Sequence, residues 1–358
     1  MMWISRRKAG RASAAARVAV AAATVAILAA ACSSGAPGSE DSADGDSSAA
    51  AGGGGDVSIT FLPKNLGNPY FDTSSKGGKA AVEEIGGEFK EVGPTEATPD
   101  AQVSFINTLT QQKVSAIVLS ANDPSALCSS LDEAKAAGIK VVTFDSDVDA
   151  ECRDLFVNQA TAEGIAKAQV DLISEQIGDA GEIAVLSATA NATNQNAWID
   201  MMKTDLAANH PNITLVDVVY GDDDDQTSFD KTAALLQSHP DLKGIVSPTT
   251  VGIAAAARYL QTSDFKGKVK LTGLGTPNDM RDYVKDGTVD AFALWNPEDL
   301  GYLSAFAANA LVDGTITGKE GDTFTAGKLG EYTVGPDATV LLGEPYVFNA
   351  DNIDDFDF

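Results

Sequence analysis

Lys140-Val-Val-Thr-Phe-Asp-Ser-Asp147 is a β-branched apolar run that breaks off in two carboxylates. Ser58-Ile-Thr-Phe-Leu-Pro-Lys-Asn65 makes the same transition, from apolar strand to polar exit. Working outward, the pattern predicts strands at Ser58–Leu62, Ala116–Ser120, Lys140–Phe144, Glu182–Ser187, Ile213–Tyr220, Gly244–Ser247, Lys270–Leu274 and Asp290–Trp295. Ala-rich segments of helical period lie between them: Asp72–Ile85, Ala101–Gln112, Pro124–Ala137, Glu163–Ile177, Ala197–Asn209, Ser228–Gln237, Gly252–Leu260 and Asn278–Asp286. Continuous apolar strands separated by helices imply parallel sheets covered on both faces. With such units on either side of residue 160, the expected fold is α/β, two doubly wound, Rossmann-like sheets in tandem.

The N-terminus reads differently. Arg6, Arg7, Lys8, Arg11 and Arg17 precede a short Ala/Val stretch ending Val25-Ala-Ile-Leu-Ala-Ala-Ala31, and Cys32 follows. A basic start, a short apolar run and small residues before a cut site describe an export signal. The cysteine at the cut resembles a bacterial lipobox, with Ala29 at −3 where Leu is commoner; the alternative is an ordinary cleaved signal. Residues 1–31 are thus expected to be removed, Cys32 lipidated and the chain anchored outside the cytoplasm. Residues 32–56, dominated by Gly, Ser, Ala and Asp, cannot bury enough apolar surface to fold and read as a tether.

The 358-residue chain carries a formal charge of −26, which deepens to −31 without the five basic residues of the leader. That balance argues against nucleic acid or an anionic lipid surface as partner. The roughly 300 residues that remain exceed one comfortable core and suggest two domains. Cys128 and Cys152 are the other cysteines. An isolated pair in an oxidising compartment predicts a disulfide rather than a metal site, the alternative being two buried thiols.

In doubly wound sheets, ligands sit beyond the carboxyl ends of the strands. Those exits are polar here: Pro63-Lys-Asn65, Asp145-Ser-Asp147, Asn191–Asn196, Pro248-Thr-Thr250, Gly275-Thr-Pro-Asn278 and Asn296-Pro-Glu298. Two sheets whose exits face one another describe a clamshell for a small polar molecule.

Several stretches then become familiar. Leu62-Pro-Lys-Asn-Leu-Gly-Asn-Pro-Tyr-Phe71 is similar to the first strand-loop of the type I periplasmic sugar-binding proteins. Pro124-Ser-Ala-Leu-Cys128, Thr143-Phe-Asp-Ser-Asp147, Glu151-Cys152, Asn158-Gln159, Asn194-Gln-Asn-Ala-Trp198, Gly275-Thr-Pro-Asn-Asp-Met-Arg281 and Asn349-Ala-Asp-Asn-Ile353 narrow the match. Together they resemble the branch that holds rhamnose-binding proteins and autoinducer-2 receptors of ABC importers. The resemblance implies a hinged clamshell that binds one small sugar, docks on an ABC permease, works as a monomer and needs no cofactor. It further implies a first lobe of 57–159 plus about 297–327, and a second of 160–296 plus about 328–358. Carried over residue by residue, the autoinducer-2 receptor set falls on Lys64, Asp145, Asn194, Gln195, Pro248 and Thr250. Asn194 stands where that set has Asp, and Thr250 where it has Ala; both changes alter the hydrogen-bond inventory. The Ala-Thr-Asn-Gln-Asn-Ala-Trp form looks more like rhamnose binders, so rhamnose is favoured over autoinducer-2, with a chemosensory or signalling sugar receptor as the further alternative.

Residue by residue, Lys64 is expected as a point-charge donor and Asp145 as an acceptor for two neighbouring hydroxyls, though Asp is also a common helix cap. Asp147 is assigned a capping or supporting role. Gln195 and Asn194 are expected on the ligand, with Asn196 bonding within its loop. Asn68, Gly275 and Asn296 complete the polar set, and Tyr70, Phe71, Trp198 and Trp295 are the candidate aromatic faces. Trp198, on a helix, is the aromatic most easily read as core. Asp222–Asp225 lacks the Gly and terminal Glu of a calcium loop and reads as a solvated turn whose last Asp caps the next helix. Gly273-Leu-Gly275 lacks the third Gly of a dinucleotide fingerprint. His210 and His239 each precede or end at Pro without a partner constellation, and no Gly-x-Ser-x-Gly, P-loop or His-Glu-x-x-His element occurs, so an enzyme is not expected. A sugar-responsive repressor would carry a basic helix-turn-helix where this chain has its leader and acidic tether.

Overall fold

The computed structural model describes residues 57–358; the export signal, Cys32 and the tether lie outside the described residues. Five strands open the fold, β1 (Ser58–Leu62), β2 (Glu88–Glu91), β3 (Ala116–Leu119), β4 (Lys140–Phe144) and β5 (Leu155–Asn158), linked by α1 (Pro69–Ile85), α2 (Pro99–Gln112) and α3 (Cys128–Ala136). They pair in parallel in the order β2-β1-β3-β4-β5. Four further strands, β6 (Gly181–Ser187), β7 (Ile213–Tyr220), β8 (Leu242–Ser247) and β9 (Lys270–Gly273), alternate with α4 (Ala162–Ile177), α5 (Thr193–Asn209), α6 (Asp225–Ser238), α7 (Thr250–Thr262) and α8 (Pro277–Lys285). Their order is β7-β6-β8-β9, again parallel. A parallel bridge from Leu274 to Ala293 extends this sheet to β10 (Ala291–Leu294).

After β10 the chain returns to the first lobe. Helix α9 (Pro297–Val312) lies against α1, and β11 (Thr323–Thr325) with β12 (Glu331–Thr333) forms a small hairpin. Strand β13 (Thr339–Leu341) pairs in parallel with β5, and β14 (Tyr346–Asn349) pairs antiparallel with β10. The final crossing therefore lies between 341 and 346, not near 328 as expected: Val340 buries against the first sheet and carries residues 328–341 with it. The crossings run side by side, because Leu342 and Gly343 donate their N–H groups to the carbonyls of Asn158 and Gln159.

The helices α1 and α9 touch backbone to backbone. A Cβ on Gly77 would sit 1.8 Å from the carbonyl oxygen of Glu298, and one on Gly301 would sit 1.8 Å from that of Ser74. Only glycine fits at either place. Cys128, at the start of α3, is joined to Cys152 by the expected disulfide.

Local starts differ from expectation in ways that matter for the cleft. Helix α1 begins at Pro69 rather than Asp72, because Asn68 Oδ1 accepts from the Tyr70 N–H and Pro69 has no N–H to leave unpaired. Helix α5 begins at Thr193, which places Asn194 and Gln195 in its first turn rather than in a loop ahead of Ala197. Helix α3 starts at Cys128, since Asp123 folds the preceding segment into a turn by accepting from the N–H groups of Ser125 and Ala126.

Candidate functional site

The exits of β1, β4, β6, β7, β8 and β10 converge on one cavity of about 40 Å³. Lys64, Asn68, Tyr70, Phe71 and Asp145 enter from the first lobe; Asn194, Gln195, Trp198, Asp223, Pro248, Thr249 and Thr250 enter from the second. Leu274, Leu294 and Trp295 close the hinge side.

Asp145 is the polar centre. It stands directly after β4 with φ of +60°, a left-handed conformation that Asp tolerates better than most residues. Its carboxylate accepts from Ser120 Oγ at 2.8 Å and Tyr70 Oη at 3.2 Å, with Lys64 Nζ at 3.9 Å. Its carbonyl accepts from Gln159 Nε2 at 3.2 Å. Burial pushes its pKa up, while Lys64, Ser120 and Tyr70 pull the other way without cancelling that rise. Asp145 caps no helix. Asp147 supports from behind: it accepts from Thr143 Oγ1 and from Arg153 Nε at 2.7 Å.

Hydrogen bonds cross the cleft at three points. Lys64 Nζ donates to Asn194 Oδ1 at 3.1 Å. Asn194 Nδ2 donates to the Asp145 carbonyl at 3.3 Å. Asn68 Nδ2 donates to Asp223 Oδ2 at 3.0 Å. Gln195 is fixed from its own lobe, its Oε1 accepting from Ser187 Oγ at 2.7 Å and the Ala188 N–H at 2.9 Å, which leaves Nε2 to donate elsewhere. Asn196 bonds within its loop, to the Ala190 carbonyl at 2.8 Å.

The opposite wall is aromatic. Trp295 packs edge-on to Tyr70 and Trp198 with ring centroids 6.0 Å apart in each case, and Phe71 lies 5.1 Å from Tyr70. Trp198 is buried in the core and also forms part of the cavity wall. Tyr70 is held by Trp295 and Asp145, and its phenol pKa rises well above the usual value through burial first and the Asp145 charge second.

Two expected residues stay outside. Asn296 caps α9, its Oδ1 accepting from the Glu298 and Asp299 N–H groups, so its side chain is already committed. Gly275 lies behind the cavity beside Met280, Ile253 and Phe292. Conversely, Asp223 was hidden in an acidic run. Asp222 and Asp223 both adopt positive φ, which turns Asp223 into the cleft, where Thr249 Oγ1 donates to it at 2.5 Å. Burial raises its pKa first; Thr249 and Lys64 oppose, and Asp145 adds to the rise. The cap of α6 is Asp224, not Asp225. Both histidines do meet carboxylates, His210 with Asp179 at 2.5 Å and His239 with Asp217 at 3.6 Å, but at the C-terminal ends of α5 and α6, away from the strand exits. Asp171 and Asp205 approach His210 there, and Lys167 already pairs with Asp171 at 2.8 Å.

The cavity wall thus offers hydroxyl-seeking groups at one end and ring faces at the other, and among its described residues no histidine or cysteine. Known proteins share the fold. The chain is 57% identical to a sugar ABC transporter protein of Actinomyces odontolyticus, covering 86% of this chain and all of that one, with a TM-score of 0.69. It is 42% identical to an ABC transporter solute-binding protein of Clostridium phytofermentas with bound L-rhamnose, covering 84% and 98%, TM-score 0.81. It is 28% identical to LsrB of Clostridium saccharobutylicum in complex with AI-2, covering 84% and 100%, TM-score 0.80. The family model for the periplasmic binding protein domain matches residues 59–316, and the chain belongs to that family.

Proposed function

We propose that this protein is the extracytoplasmic sugar-binding subunit of an ABC importer, selective for a deoxy-hexose, with L-rhamnose first. The observation that carries this reading is the two-ended cavity. Lys64, Asp145, Asn194, Gln195 and Asp223 meet ring hydroxyls, while Phe71, Trp198, Trp295 and Leu294 receive a methyl group and the C–H face of the ring. The 42% relative with bound L-rhamnose supports the choice. Autoinducer-2 is the second reading, favoured by the similarity to LsrB and disfavoured by Asn194 and Thr250.

The mechanism is hinge closure. A space of about 40 Å³ admits a few waters but no sugar ring, so the lobes part for the ligand to enter. A ring that bonds Lys64 and Asp145 on one lobe and Gln195 and Thr250 on the other then favours the closed form. Micromolar affinity needs about 8 kcal/mol net. Discrimination comes from hydroxyls, because an analogue lacking one leaves buried polar groups unpaired. The closed protein docks as a monomer on a membrane permease, held to the membrane by lipid on Cys32. No cofactor takes part.

Isothermal titration of residues 57–358 with L-rhamnose, other deoxy-hexoses, pentoses and autoinducer-2 tests the reading. L-rhamnose is expected to bind tightest; tighter binding of autoinducer-2 selects the second reading, and no response to any of them removes both.

A further inference from the structure

The inner cavity continues into a larger space. A depression of about 700 Å³ lies at the mouth of the cleft, and Asn68, Asp223 and Thr250 line both spaces. Its walls come from both lobes, from residues 65–69 and 95–98 on one side and from the 222–225 loop and the start of α7 on the other. Below it the lobes already touch, through Asn68–Asp223 at 3.0 Å and Lys64–Asn194 at 3.1 Å. Further rotation about the hinge would drive these pairs into one another. A ring seated in the inner cavity, which holds only about 40 Å³ here, holds the lobes further apart and widens the mouth, so a lone monosaccharide would leave the depression to water.

Its chemistry narrows the occupant. Among the described residues no Lys, Arg or His lines it, while Glu96, Asp279 and the carboxylates of the 222–225 loop surround it, so an anionic group is repelled. Asn65 lines it as well; this residue is 9% exposed, and its Oδ1 receives no hydrogen bond within the protein. Beside these polar groups, Leu66, Val251 and Ala254 present hydrocarbon. A mixed polar and apolar wall without cations suits a neutral hydroxylated ring.

We infer that the physiological ligand is an uncharged glycoside, whose terminal deoxy-hexose fills the inner cavity and whose second ring or aglycone occupies the mouth of the cleft. This rests on the deoxy-hexose reading above. The glycosidic oxygen would pass between Asn68 and Thr250, and the Asn68–Asp223 hydrogen bond would give way to bonds with the second ring.

The test is calorimetric titration with L-rhamnose, methyl α-L-rhamnopyranoside and a rhamnosyl-rhamnose disaccharide, on the native sequence and on two variants that fill the mouth from opposite lobes. Ala254→Trp acts from α7, and Thr95→Trp from an exposed loop, so the loss of one variant to misfolding leaves the other. The disaccharide is expected to bind at least about tenfold more tightly than the methyl glycoside. Each variant should abolish that advantage while changing the affinity for free L-rhamnose by less than about twofold. A disaccharide that binds no better than free rhamnose overturns the inference and leaves the sugar reading standing. Variants that weaken all three ligands equally also overturn it. If none of the three produces heat, the deoxy-hexose reading fails, and this inference with it.

Discussion

Trp295 donates its indole N–H to the Tyr70 hydroxyl at 2.9 Å, and Tyr70 passes its own proton on to Asp145 at 3.2 Å. A residue at the end of the last inner strand thereby sets the orientation of the carboxylate at the centre of the cleft. Tyr70 commits its hydroxyl to these two partners and lines the cavity. Tyr70→Phe removes the relay and leaves the Trp295 N–H unpaired. The expected result is a loss of about 1–3 kcal/mol in sugar affinity, the range for an unsatisfied buried polar group, read by titration calorimetry. Unchanged affinity would show that Asp145 orients itself without Tyr70.

Asp145 holds the charged hydrogen bonds. Asp145→Asn keeps the shape but removes the negative charge beside Lys64. Charge-assisted hydrogen bonds contribute about 1.5–3 kcal/mol each, so affinity should fall by at least tenfold. Affinity within threefold of the native value would remove Asp145 from the contact set.

Asp223 has a pKa raised by burial, so its proton is held more tightly in the folded, closed protein than in the unfolded chain. The sign follows from linkage. Such a carboxylate costs stability at any pH above its unfolded value, and the cost disappears as pH falls through its raised value towards about 4. Asp223→Asn should therefore raise the melting temperature of the ligand-free protein at pH 7, with the gain shrinking steadily as the pH is lowered to 4. A gain that is constant with pH, or that grows towards acid, contradicts the assignment. The same substitution should weaken sugar binding, since Asp223 faces the cavity.

The α1–α9 seam predicts a stability effect with no chemistry attached. Gly301→Ala places a methyl group 1.8 Å from the Ser74 carbonyl oxygen, which forces the two helices apart. Overpacking of this kind costs about 1–3 kcal/mol or more. Chemical denaturation should show a clear loss for Gly301→Ala and for Gly77→Ala, and little for Gly343→Ala, where nothing stands within 4 Å and the backbone is not left-handed.

Much of this molecule was readable before folding because strand interiors and strand exits differ so sharply in composition. Lys64 and Asp145 each follow an uninterrupted apolar run, and both lie where a doubly wound sheet places its ligand. Strand β2 was invisible: Glu88-Phe-Lys-Glu91 is an edge strand with three charged residues and nothing apolar on its outer side. Asp223 was missed because a run of four aspartates reads as solvated, and only the turn that Asp222 and Asp223 make at positive φ carries it into the cleft. Asn296 shows the reverse error. A polar residue at a strand exit is as easily a helix cap as a ligand contact, and the Pro297-Glu-Asp299 sequence behind it favoured the cap. Strand β13 was assigned to the wrong lobe because three residues carry too little pattern to show which sheet they join.

The return of α9 and β13 to the first sheet also dictates an order of assembly. The early half of the molecule lacks the helix that covers β3, β4 and β5, and its edge strand, until residue 341 has been made. The second lobe closes later still, when β14 pairs with β10. A break in translation after residue 300 would strand an exposed, aggregation-prone sheet rather than release a usable half.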